Sequence, residues 1–85
     1  MATKAEITRA RAWREARGLD DDRKLAELTG YSRQSIYWFF RGECPPNRGK
    51  PAGKLAHEVW RRFKLTCEAL DRRLRGFPEF DWEVK

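Results

Sequence analysis

The fold of this chain is decided by the stretch LAELTGYSRQSIYWFFRG, residues 25–42. Ala26 lies four positions before Gly30, where a close crossing of a second helix leaves no room for a larger side chain. Gly30 can adopt the left-handed conformation that ends a helix and reverses the chain at low steric cost. Ser32 then offers its hydroxyl to the free backbone N–H groups of the next helix. The spacing therefore predicts two short helices joined by a tight turn, a helix-turn-helix unit.

The second helix of this unit is predicted to have two different faces. Ile36 and Phe39 are three positions apart on one side and should point inward. The outer side carries Arg33, Gln34, Tyr37, Trp38 and Arg41. An arginine and a glutamine at the N-terminal end of such a face present forked donors and acceptors that match the edges of DNA bases. We therefore predict a DNA-binding protein.

A resemblance to a known family supports this prediction. From REARGL (residues 14–19) through LAELTGYSRQSI (residues 25–36) to FFRG (residues 39–42), the chain resembles the phage repressor and Cro-type family of helix-turn-helix proteins. The resemblance covers about the first half of the chain. It implies that the helix at residues 32–41 enters the major groove. The side chains that it places against bases are Arg33, Gln34, Tyr37 and Trp38.

Two residues depart from the family pattern. Asp22 stands where the family often has a glutamine that grips DNA at the start of the second helix, and an acid there repels phosphate. Phe40 replaces a usual glutamate on a face that is normally exposed to water. The first departure argues against DNA contacts from the second helix, and the other indicates extra packing or a partner.

Length and charge limit the classes to which this protein can belong. With 85 residues the chain is one small domain, for which we predict an all-α helical bundle of about four helices with a short extended tail. The net charge of +6 favours a polyanionic partner such as nucleic acid. Residues 44–76 hold nine Lys or Arg against three Asp or Glu, so they carry most of the positive field. We assign residues 1–76 to the DNA-binding domain and residues 77–85 to an aromatic and acidic tail.

Cysteine usage and hydropathy point to a cytoplasmic protein. Two cysteines are too few for a disulfide scaffold, and no apolar segment reaches the length of a signal peptide or a membrane span. Cys44, Cys67 and His57 match no zinc-binding spacing, so we expect no metal and no cofactor. Cys67 is interpreted as a small core residue and Cys44 as a loop thiol.

Local signals place the first two helices. Thr3 and Glu6 have the spacing of a capping box, which predicts a helix that runs to Arg17 and ends at Gly18. The acidic run at residues 20–22 supplies an N-cap and favourable charge for the second helix. We interpret this run as structural rather than as a metal site.

The segment GECPPNRGKPAG, residues 42–53, is too rich in Pro and Gly to continue a helix. We predict a loop of about a dozen residues. Its basic residues either contact phosphates beside the reading helix or are merely solvated. The side chains assigned to phosphate binding are Ser32, Ser35, Arg41, Arg48, Lys50 and Lys54.

A long helix is predicted from about residue 51 or 52 to Gly76. Its apolar stripe recurs every three or four residues, at Leu55, Val59, Phe63, Cys67, Leu70 and Leu74. The stripe spans roughly 30 Å of helix, more than three short helices need. We infer that its far end meets a second copy of the protein.

The tail FPEFDWEVK, residues 77–85, alternates apolar residues with acids, which suits a short strand or an extended arm. Such an apolar tail is expected to dock on its own core, on a second copy, or on the tail of that copy. The homodimer interface is predicted to contain Phe63, Cys67, Leu70, Leu74, Phe77, Phe80 and Trp82.

We predict that the protein is not an enzyme. The single histidine has no recognisable Ser or Cys partner, and the sequence has no Gly-rich phosphate loop and no convincing pair of carboxylates. The first hypothesis is a phage or prophage-type transcriptional repressor that acts as a homodimer on a two-fold symmetric operator.

Two alternatives stay open. The stretch GYSRQSIYWFFRGECPP, residues 30–46, also resembles the small phage and prophage excisionase regulators, which direct recombination. That family would add the strands of a wing after the loop, and such strands are not apparent in the sequence. The other alternative is an antitoxin or similar protein that holds a second protein partner through Trp38, Phe40 and the aromatic residues of the tail.

Overall fold

The computed structural model describes residues 3–46 and 48–83 of the chain. Within these residues the elements are, in order, α1 (Lys4–Ala16), α2 (Asp22–Thr29), α3 (Arg33–Phe39), β1 (Glu43–Cys44), β2 (Gly53–Lys54) and α4 (His57–Arg73). The domain is broadly helical, as predicted. It is not purely all-α, because two short strands separate α3 from α4. None of the helices in the described ranges is both long and apolar enough to cross a membrane.

Both ends of α1 follow the predicted local chemistry. The hydroxyl of Thr3 accepts a hydrogen bond from the Glu6 N–H at 3.1 Å and so caps the first turn. At the other end, the Leu19 N–H donates to the Arg14 carbonyl at 2.7 Å and the Gly18 N–H donates to the Glu15 carbonyl. This pair of bonds is a Schellman cap. The chain reverses there, and Leu19 lies in the core.

The turn between α2 and α3 also forms as predicted. Asp21 caps α2 by accepting a hydrogen bond from the Arg23 N–H at 2.9 Å. Gly30 ends that helix with a φ of +84°, a backbone conformation that residues with a Cβ rarely adopt. Ser32 caps α3 by accepting from the Ser35 N–H at 3.1 Å. The tight turn thus places α3 across α2.

A β-hairpin follows α3, which corrects the prediction of an irregular loop without wing strands. Strands β1 and β2 pair antiparallel, with Glu43 opposite Lys54 and Cys44 opposite Gly53. Gly42 leads into β1 with a φ of +76°, and a Cβ on it would lie 2.8 Å from Ile7 Cδ1. The chain therefore passes against α1 at a point where only glycine fits. Strands of two residues are too short to show a period-two pattern, so no sequence pattern predicts them.

Helix α4 begins at His57 rather than at residue 51 or 52. Leu55, which follows β2 two positions before the helix, is fully buried and donates its N–H to the Gly42 carbonyl at 3.0 Å. Because Leu55 lies outside the helix, the inward stripe starts at Trp60 and continues through residues spaced three or four apart. Val59, predicted to be in that stripe, is instead exposed. The inward residues are Trp60, Phe63, Cys67, Leu70 and Leu74.

Aromatic rings fill the centre of the core. The Phe63 ring is fully buried, and its centroid lies 5.1 Å from the ring centroids of Tyr31 and Phe39 and 5.4 Å from that of Phe40. These contacts are edge-on, the geometry that aromatic quadrupoles favour. One side chain of α4 thus anchors α3 and the turn before it.

The tail docks on the core of its own chain. The Trp82 ring packs on the Trp13 ring with centroids 5.1 Å apart. The Arg17 guanidinium donates one hydrogen bond to the Pro78 carbonyl at 2.6 Å and another to the Asp71 carboxylate at 2.7 Å. Of the docking sites predicted for the tail, the core of its own chain is the one observed, and residues 77–83 form neither helix nor strand. The final two residues of the predicted alternation lie outside the described residues.

Candidate nucleic-acid interface

Three of the side chains predicted to read bases lie together on the outer face of α3. Arg33 and Gln34 are exposed in its first turn, and Tyr37 follows one turn later with 49% of its surface exposed. Trp38 is half-buried at the side of the helix. The inward residues Ile36 and Phe39 are buried, as predicted. The helix therefore presents a polar and aromatic outer face on an apolar base.

The two serines assigned to phosphate binding stabilise the start of α3. Besides capping the Ser35 N–H, the Ser32 hydroxyl donates a hydrogen bond to the Ser35 hydroxyl at 2.9 Å. Ser35 is half-buried and Ser32 is exposed. Both serines thus take part in the N-terminal cap of α3.

Arg41 forms a cluster with the aromatic side chains of α3. Its guanidinium carbon lies 5.4 Å from the ring centroid of Tyr37 and 5.8 Å from that of Trp38. The two rings meet edge to face, with centroids 5.4 Å apart. The Arg41 Nε lies 3.3 Å from Glu43 Oε2, which makes an exposed ion pair. Arg41 is thus held at the junction of α3 and β1, close to the outer face of the helix.

Two arginines of α1, which the sequence analysis did not single out, fix the C-terminal end of α3. Two guanidinium nitrogens of Arg11 donate to the Phe40 carbonyl, one of them at 2.9 Å. The Arg14 guanidinium carbon lies 4.4 Å from the centroid of the Phe40 ring. Cations at this end of a helix also offset its dipole. Apolar periodicity cannot reveal such anchors, because both are charged: Arg14 is buried and Arg11 is exposed.

Phe40 is a core residue. Only 3% of its surface is exposed, and its ring packs edge-on against the rings of Phe63 and Trp60. Of the two explanations predicted for this departure from the family, extra packing is therefore the one confirmed. The suggestion that Phe40 holds a second protein is wrong, because its ring is not accessible.

Asp22 is engaged by a buried arginine. The Arg14 Nη2 lies 2.7 Å from Asp22 Oδ1, and the Arg14 Nε donates to the Leu19 carbonyl at 3.0 Å. Asp22 thus joins the start of α2 to α1. A glutamine at position 22 would leave Arg14 without this carboxylate partner. An open hollow of about 500 Å³ lies beside it. The hollow is lined by Asp20, Asp21, Asp22, Arg23, Arg33, Gln34 and Tyr37.

The basic residues assigned to phosphates are exposed on or near the hairpin. Lys54 lies in β2, and Arg48 and Lys50 lie in the loop that joins the two strands. Strand β1 packs next to α3, so the hairpin and the outer face of the helix belong to neighbouring parts of the surface. This arrangement brings the predicted phosphate contacts closer to α3 than a free loop would.

The residues assigned to a dimer interface are mostly covered within the chain. Phe63 and Cys67 are buried in the core, so their side chains cannot contact a second copy. Phe77 is 45% exposed, with the Arg17 guanidinium carbon 5.0 Å from its ring centroid. Four further residues assigned to the interface are partly buried against the core of the same chain. They are Leu70 and Leu74 of the stripe and Phe80 and Trp82 of the tail.

The two thiols differ sharply in environment. Burial raises the pKa of the Cys67 thiol to about 12, despite the opposing charge of Arg14. Cys44 is exposed in β1, and His57 is exposed at the start of α4. In residues 3–46 and 48–83, no three His, Cys, Asp or Glu side chains converge as metal ligands would.

No family model matches this chain. Comparisons with curated proteins and with solved structures likewise find no match. The function must therefore follow from the residues of the chain and their arrangement.

Proposed function

We propose that this protein is a sequence-specific DNA-binding regulator of transcription that places α3 in the major groove. The observation that carries the proposal is the division of α3 into two faces. Ile36 and Phe39 fix the helix to the core, while the first turn exposes an arginine and a glutamine. An exposed helix held by a tight turn after a preceding helix is the arrangement by which this motif reaches base edges.

Base reading is assigned to the N-terminal half of α3. Arg33 can pair with the O6 and N7 of guanine, and Gln34 with the N6 and N7 of adenine, each worth about 1–3 kcal/mol of discrimination when bidentate. Tyr37 and Trp38 follow on the same side and offer apolar contact to thymine methyl groups. Arg41 and the basic residues of the hairpin supply phosphate contacts that position the helix.

The proposed biological form is a cytoplasmic repressor of the phage type that works without cofactor or catalysis, as a homodimer on a two-fold operator. Two copies would place their α3 helices about 34 Å apart, one turn of DNA. Among the residues assigned to the interface, Phe77 offers the most exposed apolar surface. Contact between copies is therefore proposed through the tail around Phe77.

A second candidate function is supported by the hairpin. Strands β1 and β2 follow α3 at the position where the excisionase-like regulators add a wing. These strands, which are not apparent in the sequence, are the observation that favours this alternative. An excisionase-like factor would bind direct repeats beside a recombination site rather than a palindrome.

The first experiment selects bound duplexes from a random DNA library with the intact protein. We expect one preferred sequence, and we expect Arg33→Ala and Gln34→Ala to reduce the ratio of affinities for that sequence and a scrambled duplex. Arg73→Ala is the matched control, because Arg73 is exposed at the far end of α4. Unchanged ratios in both α3 variants would refute the assignment of base reading.

A second experiment separates the two candidate functions. Genome-wide footprints that lie on palindromes in promoters support the repressor, whereas clustered direct repeats support the excisionase-like factor. Sedimentation of the intact protein and of Phe77→Lys at micromolar concentration tests the dimer. A monomer in both samples, with one protein per operator, would refute the proposed interface.

A further inference from the structure

Glu43 is a neighbour of two of the cations assigned to DNA phosphates, Arg41 and Lys54. Its carboxylate oxygen Oε2 is 3.3 Å from the Nε of Arg41, and the side chains of the pair are 40% and 51% exposed. Arg41 lies at the end of α3, and Glu43 is the first residue of β1. The ion pair therefore bridges the reading helix and the hairpin.

The register of the hairpin places Lys54 directly opposite Glu43 on the neighbouring strand. Glu43 and Lys54 are direct partners in the antiparallel pair of β1 and β2. Directly opposed residues project their side chains from the same face of a sheet, with Cβ atoms about 4.5–5.5 Å apart. Glu43 is thus paired with Arg41 and shares a sheet face with Lys54, so a phosphate of the DNA backbone that contacted both cations would lie close to its carboxylate.

We propose that Glu43 is an internal competitor for the backbone phosphate, and that it sets the affinity of this protein for all DNA. In the free protein its carboxylate is paired with Arg41, where it takes the place of a phosphate. In the complex a phosphate displaces it. This inference rests on the proposed DNA-binding function and assigns a role to a residue that neither base reading nor phosphate binding includes.

The energetics favour such an exchange. An exposed ion pair contributes little to stability, so Arg41 can leave Glu43 for a phosphate at small cost. The carboxylate then remains close to the phosphate and repels it, by an amount that falls as salt screens both charges. The repulsion does not depend on base sequence. Its effect is therefore the same for a preferred site and for any other duplex.

The test is Glu43→Gln, which removes the charge and keeps the shape of an exposed side chain. We expect about a five-fold gain in affinity at low salt, equal for the preferred and the scrambled duplex, that shrinks as salt rises. Glu79→Gln is the control for net charge, since Glu79 is an exposed acid of the tail. Circular dichroism of each variant reports whether the helices are retained.

A double-mutant cycle tests the route through Arg41. In an Arg41→Ala background the gain from Glu43→Gln should fall by at least half, because one of the two cations is gone. An equal gain in both backgrounds, or a gain no larger than that of Glu79→Gln, would overturn the role of Glu43 and leave DNA binding in place. Failure of the unmodified protein to bind any duplex at low salt would overturn the proposed function, and this inference with it.

Discussion

Arg17 and Asp71 form an ion pair with 2.7 Å between the Nε and Oδ1 atoms, which joins the end of α1 to the last turn of α4. Their side chains are only 3% and 14% exposed. The Trp13 indole donates to the same carboxylate oxygen at 2.9 Å, and Arg17 also holds the Pro78 carbonyl of the tail. A single carboxylate therefore organises the contact of three segments that are distant in sequence.

Removing this carboxylate should destabilise the domain. We expect Asp71→Ala to lower the free energy of unfolding by about 3 kcal/mol, because it leaves the Arg17 charge and the Trp13 N–H without an acceptor. Denaturant unfolding measures the loss. The control is Glu68→Ala, which removes the more exposed i,i+4 pair with Lys64 and should cost about 0.5 kcal/mol or less. Equal losses in the two variants would contradict the importance of the buried pair.

The same pair should make stability depend on pH in the acid range. Burial alone would raise the pKa of Asp71, but the hydrogen bonds from Arg17 and Trp13 outweigh it and hold that pKa below its ordinary value of 3.8. The contribution is therefore fully present above pH 3.8 and is lost as the pH falls through the lower, folded value.

Unfolding at a series of pH values measures this dependence. The difference in unfolding free energy between the unmodified protein and Asp71→Asn should stay constant near neutral pH and shrink as Asp71 protonates. A difference that persists undiminished at about pH 2 would contradict the lowered pKa.

Restoring the glutamate that the Cro-type pattern favours at position 40 should disrupt the fold. We expect Phe40→Glu to cost about 4 kcal/mol or more, since it removes a buried ring and places a carboxylate among Phe63 and Trp60. Tyr37→Glu is the matched control on the exposed face and should change stability by about 0.5 kcal/mol or less. Thermal unfolding compares the two, and similar melting temperatures would place Phe40 outside the core.

DNA binding should weaken steeply with salt if the basic residues at the hairpin contact phosphates. The slope of log affinity against log salt is expected to flatten by about 0.9 for each contact that is removed. The quadruple alanine variant changes Arg41, Arg48, Lys50 and Lys54. The control changes four exposed arginines of α4, Arg61, Arg62, Arg72 and Arg73. Identical slopes in the two variants would show that the hairpin cations are merely solvated.

The two cysteines should react with a thiol reagent at different rates. The thiolate is the reactive form, so the raised pKa of Cys67 and its burial make it inert in the folded protein. At about pH 8 we expect one labelled thiol per folded chain and two per unfolded chain. Cys44→Ser should abolish labelling of the folded protein. Rapid labelling of that variant would show that the core around Cys67 opens readily.

The sequence was informative where a single residue controls the local backbone. The caps at Thr3 and Ser32 and the turn at Gly30 each depend on chemistry within a few residues, and each forms as predicted. The exposure of Arg33 and Gln34 follows directly from the inward positions of their neighbours on the helix. Their role in base reading stays a prediction.

The features that sequence patterns missed depend on contacts between distant segments. The hairpin is held by pairing of residues about ten positions apart, and its strands are too short to carry a period. Leu55 continued the apolar spacing of α4 although it lies before the helix begins, which shifted the predicted start of that helix. The docking of the tail depends on Arg17 and Asp71, and neither residue belongs to an apolar pattern.

The separation of the two faces of α3 bears on how the protein evolves. The residues that fix the helix to the core, such as Ile36 and Phe39, are separate from the exposed residues. The exposed residues are Arg33, Gln34 and Tyr37. A substitution in the second group leaves the stability reserve of the domain intact. If the proposed DNA-binding function holds, target preference can therefore change by single steps, each through a folded intermediate.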